Sequence, residues 1–551
     1  MPRKLSIGIV GGGITGLYCA YRLAKHHDVT VFETLDRFGG RIETVQLAGG
    51  FLAECGPMRF ELATQPYFKK LAGKLGINFR HFNPPTGASP LAEFPKYDLL
   101  SHEMSTKQKD AIAAGPDQHT AMFSHLTSTL DLLKFGVYRI FHPDPTERKR
   151  TLPEVVDSPE GIKSKIADYA DSWSDYPAKG QRPYDDIRTT IFLDETLTDG
   201  VPRGQRLYNY GFWNALSTVL SPSAVAKIRD TGTFYHLMPE NPSASEWSIF
   251  WLRLFTSNAA LSTIEAGVDQ VIKNLCLTLR QPDGKRKGSV TLKSSIVVTE
   301  VFAGNNELTG KVCLRTTEDA NSAAFDHIIL AMAAVPLRNL KVAFPSDIED
   351  YLNGVIPFPL LKVFVTLRDP WWKVLPEAHE GAHRIPTREV HYFWPTDGST
   401  DRGMIMFYMD RPATAYWGAY IRKPHSQVQI KVPPALERDI ARQLAQLWPK
   451  NGRDEATHLE RVEASIITVA IRDWSQEPFG AACHAWKPGM DVPTALKKLQ
   501  AFSLRGEPET GNVHVCGEAY SDYQGFIEGS LRSAVAVMKT IVLSAGLHVN
   551  I

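Results

Sequence analysis

The chain has 551 residues, a formal net charge of +1 and 43% hydrophobic residues, a size for about two or three domains around a sizeable core. The near-neutral balance gives no electrostatic case for nucleic acid or an anionic membrane as partner, and no apolar run reaches the ~18 residues that span a bilayer. Six cysteines, at 19, 55, 276, 313, 483 and 516, show no C-x-x-C spacing and read as reduced thiols; with a first strand at residue 5 leaving no room for a signal peptide, the expectation is a cytoplasmic protein, a leader removed earlier staying open.

The first element is the stretch "LSIGIVGGGITGLYCAYRLAKHHDVTVFE" at 5–33. Leu5 to Val10 reads as a buried strand, Ile14 to Lys25 as a helix and Val29 to Phe32 as a second strand. Gly11, Gly13 and Gly16 stand between strand and helix at G-x-G-x-x-G spacing, and Glu33 follows Gly11 by 22 residues. Glycines there permit a tight turn and the close approach of a pyrophosphate to backbone N–H groups at a helix N-terminus, while the acid accepts hydrogen bonds from a ribose diol. Strand, glycines, helix, strand and acid in register describe a Rossmann-like dinucleotide site.

Further along, residues 105–235 carry helical patterns such as "HTAMFSHLTSTLDLLKFGVYRIF" and "GFWNALSTVL", with a polar connection from Pro143 to Arg206. "SSIVVTEVFAG", "KVCLRTTE" and "DHIILAMAAVPL" look like sheet elements returning to the nucleotide domain. From about 338 to 461 the strands turn aromatic, "LLKVFVTL", "VHYFWP" and "GMIMFYM", before a helix at "PPALERDIARQLAQLW". The C-terminal "VHVCGEAYSDYQGFIEGSLRSAVAVMKTI" reads as strand 513–516, a turn at Gly517 and Glu518, and a helix from about Gln524 with Ile527, Leu531, Val535 and Met538 on its buried face. The reading is a discontinuous fold whose nucleotide domain is assembled from three separated segments.

"IVGGGITGL", Glu33, "FGGRI" at 38–42 and "CGEAYSDYQGFIEGS" together resemble the FAD-dependent flavin amine oxidase family, and "ECGPMRF" at 54–60 resembles its L-amino acid oxidase branch, which includes amino acid 2-monooxygenases. The resemblance covers the two ends of the chain, and is loose from about 90 to 250. It implies an α/β and α+β protein with a Rossmann-like FAD-binding domain (1–64, 258–337 and 462–551), a mixed-sheet substrate domain (65–104, 238–257 and 338–461) and a helical insert (105–237). It also implies a homo-oligomer and non-covalent FAD, since "SDYQGF" carries no cysteine where the monoamine oxidases tether theirs.

Site residues follow from the same resemblance. Gly40 and Arg41 lie against the pyrophosphate and ribityl chain, Arg41 as a phosphate clamp; Glu518 hydrogen-bonds that region; Val301 offers a backbone contact to adenine, a plain strand residue being the alternative. Met58, Arg59 and Ile527 sit beside the cofactor. Arg59, in the apolar "GPMRF", has the planar fork for bidentate capture of a substrate α-carboxylate, against the plainer reading of a structural ion pair. Tyr392, in "VHYFWP", donates a second hydrogen bond to that carboxylate, its register open by a residue. Gly525 offers a carbonyl to the α-amine and Phe526, where many relatives carry Trp, flanks the site.

Lys362 stands inside an apolar strand, which is costly for a cation without partners; the resemblance gives it a water held against flavin N5, and a snorkelling strand-edge lysine is the alternative. Trp474 and "FGAACHAW" at 479–486 line the side-chain pocket. Cys483 and His484, as adjacent strand residues, point to opposite faces and make a poor catalytic pair.

The resulting expectation is oxidation of an L-amino acid by hydride transfer from Cα to flavin, with dioxygen as co-substrate and 2-oxo acid, ammonia and hydrogen peroxide as products. An amino acid 2-monooxygenase is the near alternative; a flavin oxidase of plain amines, or an NAD(P)-dependent dehydrogenase, stands further off. Asp230, Glu240 and Glu246 would suit a basic substrate side chain, and the aromatics from Tyr208 to Trp213 a large apolar one.

Overall fold

The computed structural model describes residues 3–82 and, apart from short segments, 205–546; between 83 and 204 only scattered positions are described. The helical pattern at 119–141 and the connection 143–206 therefore lie largely outside the described residues. In chain order the elements that position the site are β1 (Ser6–Val10), α1 (Ile14–Leu23), β2 (Asp28–Phe32), α2 (Ala244–Phe255), α3 (Gln270–Arg280), β3 (Val290–Lys293), β4 (His327–Leu330), β5 (Val355–Phe358), β6 (Leu361–Arg368), β7 (Glu389–Phe393), β8 (Arg402–Met409), α4 (Pro434–Leu447), α5 (Glu455–Ser465), β9 (Ile466–Asp473), β10 (Cys483–Trp486), β11 (Val513–Val515) and α6 (Ile527–Ser544).

The first sheet has the order β11-β4-β1-β2-β3, and every pairing is parallel. A parallel sheet is covered on both faces, so its strands are apolar at consecutive positions rather than alternate ones. Ile7, Ile9, Val29, Val31, Ile328, Ile329 and Leu330 are accordingly all buried. α1, α3 and α6 share one core through Leu17, Leu275, Leu531 and Met538. The strands come from three stretches of chain far apart in sequence. Val298–Ala303, Val312–Thr316, Ala323–Phe325 and Lys341–Val342 form a separate four-stranded sheet.

The second large sheet runs Glu380–Ala382, β7, β8, β6, β9 and is antiparallel throughout. β9 lies beyond residue 461, so this sheet takes a strand from the C-terminal stretch of chain. Its two faces do different work. Val363, Val365, Tyr392, Ile405, Phe407, Val469 and Ile471 face Leu436, Ile440 and Leu444 of α4 and Val462 of α5; burial of each of those helix side chains stabilises the layer by about 1.5–3 kcal/mol. The alternate residues Phe364, Met404, Met406 and Ala470 pack instead on Phe51, Ala53, Met58 and Trp474, which brings the "GPMRF" turn against the sheet.

Candidate active site

The end of the site next to the parallel sheet is built by the turn after β1. Gly11 has φ +108, and a Cβ there would lie 2.4 Å from the Ala331 carbonyl oxygen; one on Gly16 would lie 2.0 Å from that of Gly11, so α1 can sit tightly on the turn only with glycines at both. Gly13 caps α1 without a side-chain hydrogen bond, and a Cβ on it would meet nothing within 4 Å. Gly13, Ile14 and Thr15 line an open cavity there, which leaves the positive end of the helix facing open space. Glu33, at the end of β2, accepts from Gly12 N (2.7 Å) and Leu35 N (2.9 Å). Burial pushes its carboxyl up against the pull of those donors, and it lines the same cavity.

Gly39 N donates to Gly12 O at 2.9 Å, docking the "FGGRI" loop on the dinucleotide turn. Arg41 Nη1 then reaches Glu518 Oε2 (2.8 Å) and Ala482 O (2.6 Å). Glu518 also accepts from His484 N (2.9 Å), His484 Nδ1 (2.8 Å) and Gly525 N (2.8 Å). Burial opposes the Glu518 charge, but the His484 and Arg41 hydrogen bonds and the Gly525 N–H outweigh it and hold the carboxyl below its usual range. His484 is itself pushed down by burial and accepts at Nε2 from Ala334 N (3.4 Å), so it is the neutral tautomer with the proton on Nδ1. Glu518 is thus the clasp that fixes Arg41, β10 and the Gly525 turn around the cavity. Gly40, Arg41, Glu518, Gly525 and Ile527 all line it.

At the substrate end β6 and β8 form the wall. Lys362 and Tyr408 are register partners, both line the cavity, and the Lys362 ammonium stands 5.0 Å from the Tyr408 ring centroid. Lys362 Nζ donates to Glu54 O (2.8 Å) and Gly56 O (2.6 Å); an ammonium has three N–H donors, so two hold the "ECGP" turn and a third remains for the cavity. Burial brings this amine down to about 8. Trp474 Nε1 holds the same turn through Cys55 O at 2.7 Å, and the Arg472 guanidinium stacks on its ring at 3.9 Å. Met58, Arg59, Phe250, Trp474, Phe479 and Phe526 complete this part of the wall. Phe250, in α2, leans on Phe526 at 5.9 Å and stacks on Trp247 at 4.0 Å.

Arg59 reaches the cavity and is also engaged within the protein. Its Nη2 lies 3.0 Å from Glu389 Oε1, and the same oxygen is 2.6 Å from His391 Nε2; the guanidinium stands 5.9 Å from the Phe82 ring centroid. The ion pair weighed from the sequence is therefore present.

Other expectations shift. Tyr392 does not reach the cavity: it is in the core against α4 and α5, on the face opposite Lys362, and the tyrosine on the cavity side is Tyr408. Val301 is packed in a neighbouring core and is absent from the cavity wall. Glu246 is committed to Arg188 through Nε (2.5 Å) and Nη2 (2.9 Å), while the Asp230 side chain lies outside the described residues. Phe212 packs behind Trp247 at 6.5 Å, and neither borders the cavity. Cys483 and His484 both border the cavity, but burial holds the thiol well above its usual range and His484 serves Glu518. Glu389, His391, Tyr408, Phe250 and the clasp role of His484 are absent from the sequence reading; the one signal for the first two is "EVHYF", which sets an acid and a histidine on one face of a strand.

One cavity is lined from Gly11 and Glu33 at one end to Lys362, Trp474 and Phe526 at the other. With an open helix N-terminus, the buried Glu33 carboxylate at the end of β2 and an apolar, aromatic-walled far end, it suits a dinucleotide cofactor and a small substrate together.

A sequence model of the flavin containing amine oxidoreductases matches residues 14–540. Aplysianin-A of Aplysia kurodai is 23% identical over 97% of this chain and 90% of its own length. The flavin-dependent L-tryptophan oxidase RebO of Lentzea aerocolonigenes is 21% identical over 98% of each. In structure, the cyclohexylamine oxidase of Brevibacterium oxydans IH-35A superposes with a TM-score of 0.60 at 15% identity, covering 98% of this chain and 100% of that one, a likeness of fold.

Proposed function

The chain belongs to the flavin containing amine oxidoreductases, and within that family we propose that it oxidises L-amino acids with non-covalent FAD and dioxygen, releasing 2-oxo acid, ammonia and hydrogen peroxide. The observation that carries this reading is that Arg59 lines the same cavity as Gly13 and Glu33, so the cavity that would take the cofactor also offers a guanidinium to a carboxylate. Cys55 and Cys483 border the cavity, and burial raises both thiols, which disfavours the thiolate that a covalent flavin tether needs and supports a non-covalent cofactor.

When bound, the flavin supplies a hydride acceptor for the substrate α-carbon. The chain's own part is placement. Arg59 takes the α-carboxylate with its planar fork, and the Gly525–Phe526 segment takes the amine side. Holding the two groups separately fixes which face of Cα is presented. Lys362 uses its third N–H to hold a water, and Trp474, Phe479, Phe526 and Phe250 keep bulk water out.

A second reading, an oxidase of plain amines, draws on the Arg59–Glu389 pair, which already gives the guanidinium an anion. Steady-state kinetics on matched amino acid and decarboxylated amine pairs, with peroxide and 2-oxo acid measured, separates the two. Losing a buried, hydrogen-bonded charge partner costs ~2–5 kcal/mol, so Arg59→Ala should lower kcat/KM for amino acids by roughly thirty-fold to a few thousand-fold. Arg59→Lys, which keeps a cation beside Glu389, should restore part of it and leave the weak amine activity nearly unchanged. Preferential turnover of amines by the parent, or an equal loss on both substrates, overturns the amino acid reading.

A further inference from the structure

The register of the second sheet sets Glu389, Tyr408, Lys362 and Arg472 side by side on β7, β8, β6 and β9. Register partners in antiparallel strands project to the same face, and Lys362 and Tyr408 mark that face as the cavity side. Glu389 therefore belongs to the cavity face of the sheet, 4% exposed, with Oε1 on Arg59 Nη2 at 3.0 Å. Its charge is felt by Tyr408 and Lys362 as well. A carboxylate only accepts hydrogen bonds, so His391 Nε2 donates to Oε1 across 2.6 Å, from a ring that is fully buried.

We propose that Glu389 is an internal counter-anion for Arg59: it fixes the guanidinium in the free enzyme and opposes the incoming carboxylate, so that the balance between the two anions, tuned by the His391 hydrogen bond, sets how tightly the site takes carboxylate ligands. Glu389 is a positioning and specificity-determining residue, acting through Arg59. The proposal rests on the carboxylate-binding role of Arg59. The physical argument is the sign of the charges. Two carboxylates that address one guanidinium in a buried setting repel one another, and like charges placed together at a recognition site select against a ligand. The same arrangement gives a neutral ligand no such handicap.

The test uses flavin-loaded enzyme and two ligands without an amine, benzoate and its neutral isostere benzamide, with binding read from the visible flavin spectrum. Glu389→Gln removes the charge and keeps an acceptor for Arg59; it should bind benzoate about tenfold tighter or more, leave benzamide unchanged, and lower KM more than it changes kcat. Glu389→Asp, which keeps the charge, should stay near the parent. His391→Phe takes a hydrogen bond from Glu389, concentrates its charge on Arg59 and should weaken benzoate binding, which provides a reading of opposite sign if Glu389→Gln does not retain flavin. Equal or weaker benzoate binding by Glu389→Gln, equal tightening for benzamide, or unchanged benzoate binding by His391→Phe overturns the proposal. If Arg59→Lys leaves benzoate binding as in the parent, the carboxylate role of Arg59 falls and the counter-anion role with it; a large Arg59→Lys effect beside a silent Glu389→Gln overturns the counter-anion role alone.

Discussion

Lys362 Nζ donates to Gly56 O across 2.6 Å, tying the centre of the antiparallel sheet to the turn that carries Arg59 three residues later. The bond makes one buried ammonium responsible for two things at once: it holds the "ECGP" backbone in place and presents its remaining N–H to the cavity. Such a lysine is neither the snorkelling residue that an apolar strand suggests nor a group concerned with the flavin alone.

For that reason Lys362→Met should show two separable losses. Two buried carbonyls lose a charged donor, at about 1–3 kcal/mol each where nothing replaces it, so thermal stability drops. Flavin reoxidation by dioxygen should slow about a hundredfold, the scale of a positioned proton donor. Burial holds the Lys362 amine at about 8, so the protonated form is lost as pH rises through 8 and the parent's reoxidation rate should fall there. The variant's rate should be flat. Rapid-mixing measurements from pH 6 to 9.5 check this; superimposable profiles would confine Lys362 to holding the turn.

Glu33 accepts two backbone N–H bonds before any ligand arrives. Glu33→Ala should therefore loosen the turn and remove the proposed ribose acceptor together. Hydrogen bonds to a charged group are worth ~1.5–3 kcal/mol, which predicts FAD binding weaker by roughly ten- to 150-fold. Titration of the apoprotein with FAD, followed by quenching of its fluorescence, gives the number. Glu33→Gln should fall between the two, and parent-like affinity in the alanine variant would remove Glu33 from the cofactor site.

The nucleotide half of the molecule was open to reading because its signals are local. Gly11, Gly13, Gly16 and Glu33 lie within one β-α-β stretch, and the physics that makes each necessary acts over a few residues. The substrate half depends on strand parity and on contacts across the chain. "VHYFWP" offers three aromatic residues in a row, and a shift of one residue moves a side chain to the other face of a sheet; Tyr392 falls on the α4 side as a result. Tyr408 sits in "RGMIMFYM", a strand apolar at nearly every position and buried on both faces, so alternation gives no hint of which residue faces the cavity. Glu389 is 330 residues from Arg59, and no local pattern joins them.

Parity makes a direct prediction for the two tyrosines. Tyr408→Phe removes a hydroxyl from the cavity wall beside Lys362 and should change kcat/KM by roughly two- to tenfold, the span of one ordinary hydrogen bond of ~0.5–1.5 kcal/mol. Tyr392→Phe alters the core against α4, so it should cost stability and leave kcat/KM within about twofold. Steady-state kinetics beside thermal unfolding of both variants checks the assignment; a kinetic defect in Tyr392→Phe at unchanged Tyr408→Phe kinetics would reverse it.

Outside the cavity wall, His327 and His514 on the paired strands β4 and β11 share a hydrogen bond of 2.9 Å between Nδ1 and Nε2. His514 Nδ1 lies 2.6 Å from the Gln500 carbonyl oxygen and must donate to it, which leaves His514 Nε2 as the acceptor and His327 Nδ1 as the donor. That arrangement requires a neutral His514, because a proton on its Nε2 would face the His327 donor. Burial accordingly holds His327 at about 4 and His514 at about 3, below the ordinary value near 6.5. Between these values the unfolded chain binds more protons than the folded one, so stability falls as pH drops from about 6.5 toward 4, by about 1.4 kcal/mol per pH unit for each histidine. Glu54 works in the opposite sense: burial pushes it up to about 7, so it adds stability as pH falls from 7 to about 4.5 and offsets one of the two histidines over that range. His514→Asn keeps a donor for Gln500 and removes one titrating group while leaving Glu54 untouched. Urea unfolding of parent and variant at pH 7.5, 6, 5 and 4 should show the parent losing stability more steeply, by about one histidine's slope, and parallel profiles would mean that His514 carries no proton linkage to folding.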